Sequence, residues 1–371
     1  MNRTHAFRQM LVARFLRLAG VVTLVSPLLA GCAGSDTSCF TWAQDSCPAR
    51  ENALGYMLLC DSEECITSVD SEGIKEEGAC CYDVTKEESD DGCGFLAGCA
   101  VEGRPFLVES CVVTAAPRPA RRAADWSAAG VSPRVEALTP SQRRAIADSY
   151  TQSALFEHAS VASFSRFSLE LLAVGAPADL VADAHRAALD EVEHAKLCFA
   201  LASVYGGGAV EPSSFPLGRT MTIATDLAQV AASAVREGCI GETLAAIQAG
   251  EELAGASDPA VRVALAQIAE DEARHAELAW RTVIWALEIG GDEVHAAVAA
   301  AFAEAKPAAP IAPSAPDADA AMLAAHGRLD EASVRAVHRL ALVEVVLPCA
   351  REILARRVVP ARSQAEITAR I

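Results

Sequence analysis

Asp190-Glu191-Val192-Glu193-His194-Ala195-Lys196-Leu197 recurs about 80 residues later as Asp271-Glu272-Ala273-Arg274-His275-Ala276-Glu277-Leu278. Both copies read D-E-x-x-H-A-x-L, and they hold the only two Glu-x-x-His spacings in the chain. Residues three apart share a helical face, so each copy aims one carboxylate and one imidazole the same way. Two such faces brought together make a mixed oxygen and nitrogen cage suited to a metal ion.

The sequence around the repeat reads as helix. Thr139-Pro140 supplies an N-cap followed by proline at the first helical position. From there the chain is rich in Ala, Leu and Glu with 3.6-residue periodicity. Four long helices are expected: 140–174 ending at Gly175, 177–205 stopping at Gly206-Gly207-Gly208, 221–256, and 258–290. A shorter segment over 292–306 and a last apolar helix over 330–347, kinked or ended by Pro348, complete the chain. No strand pattern competes in this half, so the expected class is all-α.

Short first-to-second and third-to-fourth links force antiparallel hairpins. The link from Gly206 to Thr220 is about 15 residues and extends to about 50 Å. A helix of about 30 residues is about 45 Å long, so this link can cross the whole bundle.

The first and third helices each offer a lone inward carboxylate. Glu157 interrupts the apolar stripe Tyr150, Ala154, Val161, Phe164, with Glu170 as a competitor nearer the helix end. Glu242 lies with Val235, Cys239, Ala245 and Ala246, and Glu237 falls about 140° away from it. Glu157 and Glu191 are 34 residues apart and Glu242 and Glu272 are 30 apart, which sets both pairs at a common height in two antiparallel hairpins. Four buried carboxylates without cations are too costly, so burial and metal go together. Cys198 and Cys239 read as core fillers on opposite sides of the site, and Tyr150 as core packing or a radical or proton carrier. His158, His185, His295, His326 and His338 have no partner spacing and read as surface or capping groups.

The order Glu157, Glu191-x-x-His194, Glu242, Glu272-x-x-His275 resembles the ferritin-like di-iron carboxylate superfamily, which includes rubrerythrins and ferritins, over about residues 140–290. The resemblance implies a ferritin-like four-helix bundle over 139–291 with one long crossover. It implies that Glu191 and Glu272 bridge two metals, that Glu157 and Glu242 are terminal ligands, and that His194 and His275 take one metal each. Asp190 and Asp271 would accept the other ring N–H of a ligating histidine. Two Fe ions are the expected cofactor, with Mn next. Rubrerythrins add a glutamate one turn past the third-helix ligand and a rubredoxin-type iron domain; here Ala245 holds that position and no Cys-x-x-Cys knuckle is present in the cysteine-rich stretch.

The remaining regions point to the cell envelope. Arg3, Arg8, Arg14 and Arg17 precede the apolar run 18–29, and Leu29-Ala30-Gly31-Cys32 resembles a bacterial lipobox. Residues 1–31 are therefore expected to be a signal peptide, Cys32 a lipidated N-terminus, and Ala33 a mark of passage to the outer membrane. The run is shorter than the roughly 20 residues a spanning helix needs. Residues 33–111 carry nine of the thirteen cysteines and read as a disulfide-stapled module, with 112–138 as a Pro/Ala linker and 292–371 as a C-terminal helical extension. The net charge of −18 becomes −22 without residues 1–31, which excludes nucleic-acid binding through a basic face.

The function expected from these features is an envelope-anchored di-iron oxidase or peroxidase acting on ferrous iron, oxygen or peroxide. Two alternatives stand beside it: a di-iron oxygenase hydroxylating an organic substrate, and a non-catalytic metal-binding or structural lipoprotein. The expected partners are metal ions, oxygen or peroxide, and the membrane through the Cys32 anchor, with room for a homodimer and no nucleic acid.

Overall fold

The computed structural model describes residues 3–18, 37–41, 60–61, 64–69, 74–76, 79–88, 103–108, 111–120, 125–217, 221–307 and 318–355. The lipobox and Cys32 lie outside them.

The first element is helix α1 (Arg3–Leu18). Leu11 and Phe15 on it are fully buried, and Phe15 stacks on Trp280 at 5.5 Å. Arg8 pairs with Glu251 at 2.9 Å and Glu344 at 2.6 Å, and Arg14 pairs with Glu277. The basic end of the expected signal segment is thus a helix seated on the long-helix bundle.

Next comes a small antiparallel sheet built from β1 (Thr37–Thr41), β2 (Cys60–Asp61), β3 (Glu64–Val69), β4 (Ile74–Glu76) and β5 (Ala79–Glu88), in the order β1-β5-β3-β2 with β4 also on β5. Its register sets Cys39 opposite Cys81 and Cys60 opposite Cys65. A hairpin, β6 (Leu107–Val108) with β7 (Cys111–Val112), follows.

Four long helices form the core of the described chain. α2 (Pro140–Ala173) starts as the sequence indicates: Thr139 accepts from the Gln142 amide in a full capping box with Pro140 behind it. α3 (Ala178–Gly206) stops at Gly207, whose φ of 72° a residue with a Cβ adopts only with strain. The third helix, α4 (227–255), begins six residues later than expected because Asp226 caps it through the Gln229 amide. α4 runs as Leu227–Ser233, a π-helical stretch Ala234–Glu242, and Thr243–Gly255. α5 (Pro259–Ile289) is capped by Asp258, which accepts from Ala260 and Val261. α2 packs on α3, α3 on α5, and α4 on α5, whereas α2 and α4 meet through the side chains of Ser163 and Arg166 on Glu237.

The crossover between α3 and α4 carries a strand that periodicity does not reveal. β9 (Val210–Pro212) pairs antiparallel with β8 (Pro117–Pro119), so part of the expected linker is ordered against the bundle. Arg118 adds an ion pair to Glu211 at 3.0 Å.

The C-terminal part contains α6 (Gly291–Ala303), α7 (Ala318–Ala325) and α8 (331–354). Pro348 does not end the last helix: a π-helical stretch, Leu342–Val346, precedes it and the helix continues to Leu354. Such a bulge absorbs the ladder hydrogen bond that proline cannot donate. Among the described residues no helix is long and apolar enough to cross a membrane.

Candidate metal centre

Each Glu-x-x-His repeat sits mid-helix, in α3 and in α5, with its flanking alanines buried. The small Ala195 and Ala276 let the helices pack closely enough for the polar side chains to meet across the interior. Glu157 comes from α2, and Glu242 closes the π-helical stretch of α4.

The structure brings all six residues together. Glu157, Glu191, His194 and Glu272 form one buried group that could hold a metal ion, and Glu191, Glu242, Glu272 and His275 form the other. Within each group the ligand atoms lie within 4.8 Å of one another, and Glu191 and Glu272 belong to both. Nδ1 of His194 lies 3.5 Å from Glu157, 3.7 Å from Glu191 and 3.3 Å from Glu272. Nδ1 of His275 lies 3.1 Å from Glu191 and 3.6 Å from Glu272.

These contacts are short but misaligned for hydrogen bonds. Both oxygens of Glu191 and Glu242, Oε2 of Glu272 and Nδ1 of both histidines are buried without a hydrogen-bond partner. Buried polar atoms seldom stay unsatisfied, and here they converge on one small space. Mixed carboxylate and imidazole donors of this kind fit a hard or borderline divalent cation.

The far ring nitrogens are tied across the bundle. Nε2 of His194 lies 3.0 Å from Asp271 on α5, and Nε2 of His275 lies 3.3 Å from Asp190 on α3. Each aspartate so placed holds a proton on Nε2 and leaves Nδ1 facing the centre. Arg274 joins the two aspartates, at 2.5 Å from Asp271 and 3.2 Å from Asp190. The sequence pattern contains that arginine, but its bridging role depends on α3 and α5 lying side by side.

Protonation follows from burial and crowding. Burial, then Glu191, pushes Glu157 well above the usual carboxylate range, and burial with Glu272 does the same to Glu242. Burial also opposes charge on Glu191 and Glu272, but the two imidazoles outweigh it and hold both low. Burial alone would depress the imidazoles; the carboxylates around them, led by Asp271 for His194 and Asp190 for His275, hold both well above the ordinary histidine range. Without metal, burial thus favours the neutral form of Glu157 and Glu242, while the imidazoles favour the charged form of Glu191 and Glu272.

A cavity with about 20 Å³ of space for water-sized molecules opens beside Glu157 and Glu272. That is room for about one or two waters. Gly103, Ala245, Cys198, Tyr150, Ser153, Gln248, Glu252 and Arg328 also line it. Arg328 arrives from the turn after α7, donates to Ser149 at 2.7 Å and Ser153 at 2.9 Å, and pairs with Glu252 at 3.4 Å. Nothing in the local sequence marks Arg328 or Glu252 as neighbours of the centre.

The other expected residues are not among the six converging side chains. Glu170 accepts from the Ala224 amide and Glu237 pairs with Arg104 and Arg166, so neither reaches the centre. Cys198 and Cys239 are both buried. Tyr150 packs in the core, stacks on Tyr205 and donates to the His326 carbonyl at 2.9 Å. His326 and His338 are not surface groups in role: each makes an internal hydrogen bond, to Tyr205 and to Gln248.

No family model matches the chain, and no curated protein or solved structure matches it either.

Proposed function

We propose that this protein is a ferritin-like di-metal carboxylate oxidase or peroxidase, anchored in the cell envelope through Cys32, acting on ferrous iron with oxygen or peroxide. The observation that carries this reading is the pair of buried quartets sharing Glu191 and Glu272. Glu157 and His194 would complete one metal's protein ligands, and Glu242 and His275 the other's. Bound there, two iron ions supply electrons in pairs to a small oxidant. Manganese is the second choice, since the same donor set suits it.

The chain's own groups do the rest. Glu157 and Glu242, held neutral by burial in the metal-free centre, give up their protons as metal enters. Asp271 and Asp190 keep the imidazoles oriented throughout. The cavity favours an oxidant of a few atoms: at about 20 Å³ it is far below the several hundred Å³ of an organic ligand pocket. This supports oxidase or peroxidase chemistry over hydroxylation of an organic substrate.

Stopped-flow mixing of ferrous-loaded protein with oxygen or with hydrogen peroxide, without organic substrate, tests the reading. Rapid and complete oxidation of the bound iron by at least one of them is expected. Loaded protein inert to both until an organic substrate is added would favour the hydroxylase, and protein inert in every case the binding lipoprotein.

A further inference from the structure

In the seam between α2 and α4, which meet through Ser163 and Arg166 on Glu237, a short tongue from the cysteine-rich side of the chain is inserted. Gly103-Arg104-Pro105-Phe106 lies buried there. On the α2 side, Ser160 donates to the Arg104 carbonyl at 2.9 Å and Ser163 to the Pro105 carbonyl at 3.2 Å. On the α4 side, Arg104 forms an ion pair with Glu237 at 3.1 Å. Its guanidinium lies 4.0 Å from the Phe167 ring centre and 5.3 Å from that of Phe164.

The tongue's tip reaches the centre itself. Gly103 lines the cavity, and a Cβ on it would sit 4.0 Å from Oε2 of Glu242. Its φ of 72° makes the turn that brings the backbone in. Gly241, beside Glu242 in the π-helical stretch, accepts this approach: a Cβ there would meet the Gly103 carbonyl at 2.9 Å. Phe164, under Arg104, packs edge-on against His275 with ring centres 5.0 Å apart. Glu157 and Glu242 stand on the two helices that flank this seam, so the tongue covers the side of the centre made of carboxylates alone. The histidines and their aspartates hold the opposite side.

We infer that the 103–106 tongue is the wall that decides what reaches the metal centre, with Gly103 as the specificity-determining residue and Arg104 as its anchor. This rests on the metal-centre reading above. The cysteine-rich region thereby gains a role, since it delivers, in the same chain, the piece that restricts the centre to molecules small enough for the remaining cavity. A bundle without it would expose Glu157 and Glu242 along the whole seam.

The test is capture of bound ferrous ion from the full chain by 2,2′-bipyridine at increasing chelator concentration. In the wild-type protein the loss rate is expected to be slow and independent of chelator concentration, since the wall must open first. Arg104→Ala should keep metal stoichiometry at a lowered thermal midpoint, because it removes a buried guanidinium while Glu237 retains Arg166 at 2.9 Å. Its loss rate should rise at least about tenfold, as expected for removal of a charged contact, and should climb with chelator concentration. Should Arg104→Ala fold poorly, the Ser160→Ala/Ser163→Ala variant, which removes the two hydroxyl contacts to the tongue and a long one from Ser163 to Glu237, should show the same concentration dependence. Loss that stays independent of chelator in both variants would overturn the inference while leaving the metal centre in place. Wild-type protein that takes up no ferrous ion would overturn the metal-centre reading and this one with it.

Discussion

Asp271 on α5 lies 3.0 Å from Nε2 of His194 on α3, and the repeat returns the contact from Asp190 to His275 at 3.3 Å. Each helix thus orients the metal-facing imidazole of its neighbour. The two contacts are unequal: the Asp271 side chain is 9% exposed and that of Asp190 29%. Loss of such a partner costs about 10- to 100-fold in metal affinity. Asp271→Asn is expected near the upper end of that range and Asp190→Asn near the lower, by competition titration with a metal-binding dye. Equal affinities for both variants and wild type would show that these contacts do not orient the ligands.

The protonation pattern sets the pH behaviour. His194, His275, Glu157 and Glu242 bind protons more tightly folded than unfolded. Their stabilisation is complete below the unfolded values, 6.5 for imidazole and 4.5 for the carboxyls, and is lost as pH rises toward the raised folded ones. Glu191 and Glu272 act oppositely: their contribution is present above 4.5 and lost as pH falls through the depressed values. The metal-free protein is therefore expected to lose thermal midpoint as pH rises above 6.5, while the loaded protein, with cations replacing protons, holds nearly level. Parallel calorimetric scans of the two forms check this, and parallel slopes would contradict it.

Metal uptake should also release protons, because neutral carboxyls and imidazoliums must deprotonate to bind. A pH-stat titration in weak buffer at neutral pH is expected to record more than one proton for each metal bound. Uptake without proton release would contradict the assigned protonation.

Glu237 carries the ion pairs that join the tongue and α2 to α4. Arg104 beside it is 1% exposed, so Glu237→Ala strands a buried guanidinium. Breaking a buried pair from one side costs about 3–5 kcal/mol. Urea unfolding should show a loss of that order, and a change under about 1 kcal/mol would mean water relieves the charge.

Gly238→Ala tests the packing of the π-helical stretch. The added Cβ would lie 2.3 Å from Cβ of Ala279 on α5, where no flexible side chain can yield. Overpacking of this kind costs about 1–3 kcal/mol. Gly208→Ala, with nothing within 4 Å, is the matched control and should unfold near wild type.

The long helices and the six converging residues are legible in the sequence because both depend on local rules. Helical spacing puts Glu191 with His194 and Glu272 with His275, and Thr139, Gly207 and Asp258 act as the caps their types suggest. Asp226 is an equally local signal, masked because Met221 to Ala224 continues the apolar character without being helical. The rest is out of reach for a physical reason. Arg104 meets Glu237, and Arg328 meets Ser153 and Glu252, across separations that periodicity carries no information about. The β8–β9 pairing joins a proline-rich stretch to a crossover loop, neither of which alternates like a strand. The π-helical stretch ending at Glu242 shifts helical phase, which a 100° wheel cannot anticipate.

The most direct test of the account is metal content. The full chain, loaded anaerobically with ferrous iron and desalted, should hold about two irons per molecule, as expected for six ligands arranged in two quartets. The Glu191→Ala/Glu272→Ala variant, which removes the two residues common to both quartets, should hold none while retaining its helical circular dichroism. A wild-type protein that binds no iron and no manganese, or a double variant that still binds two, would contradict the shared-carboxylate centre.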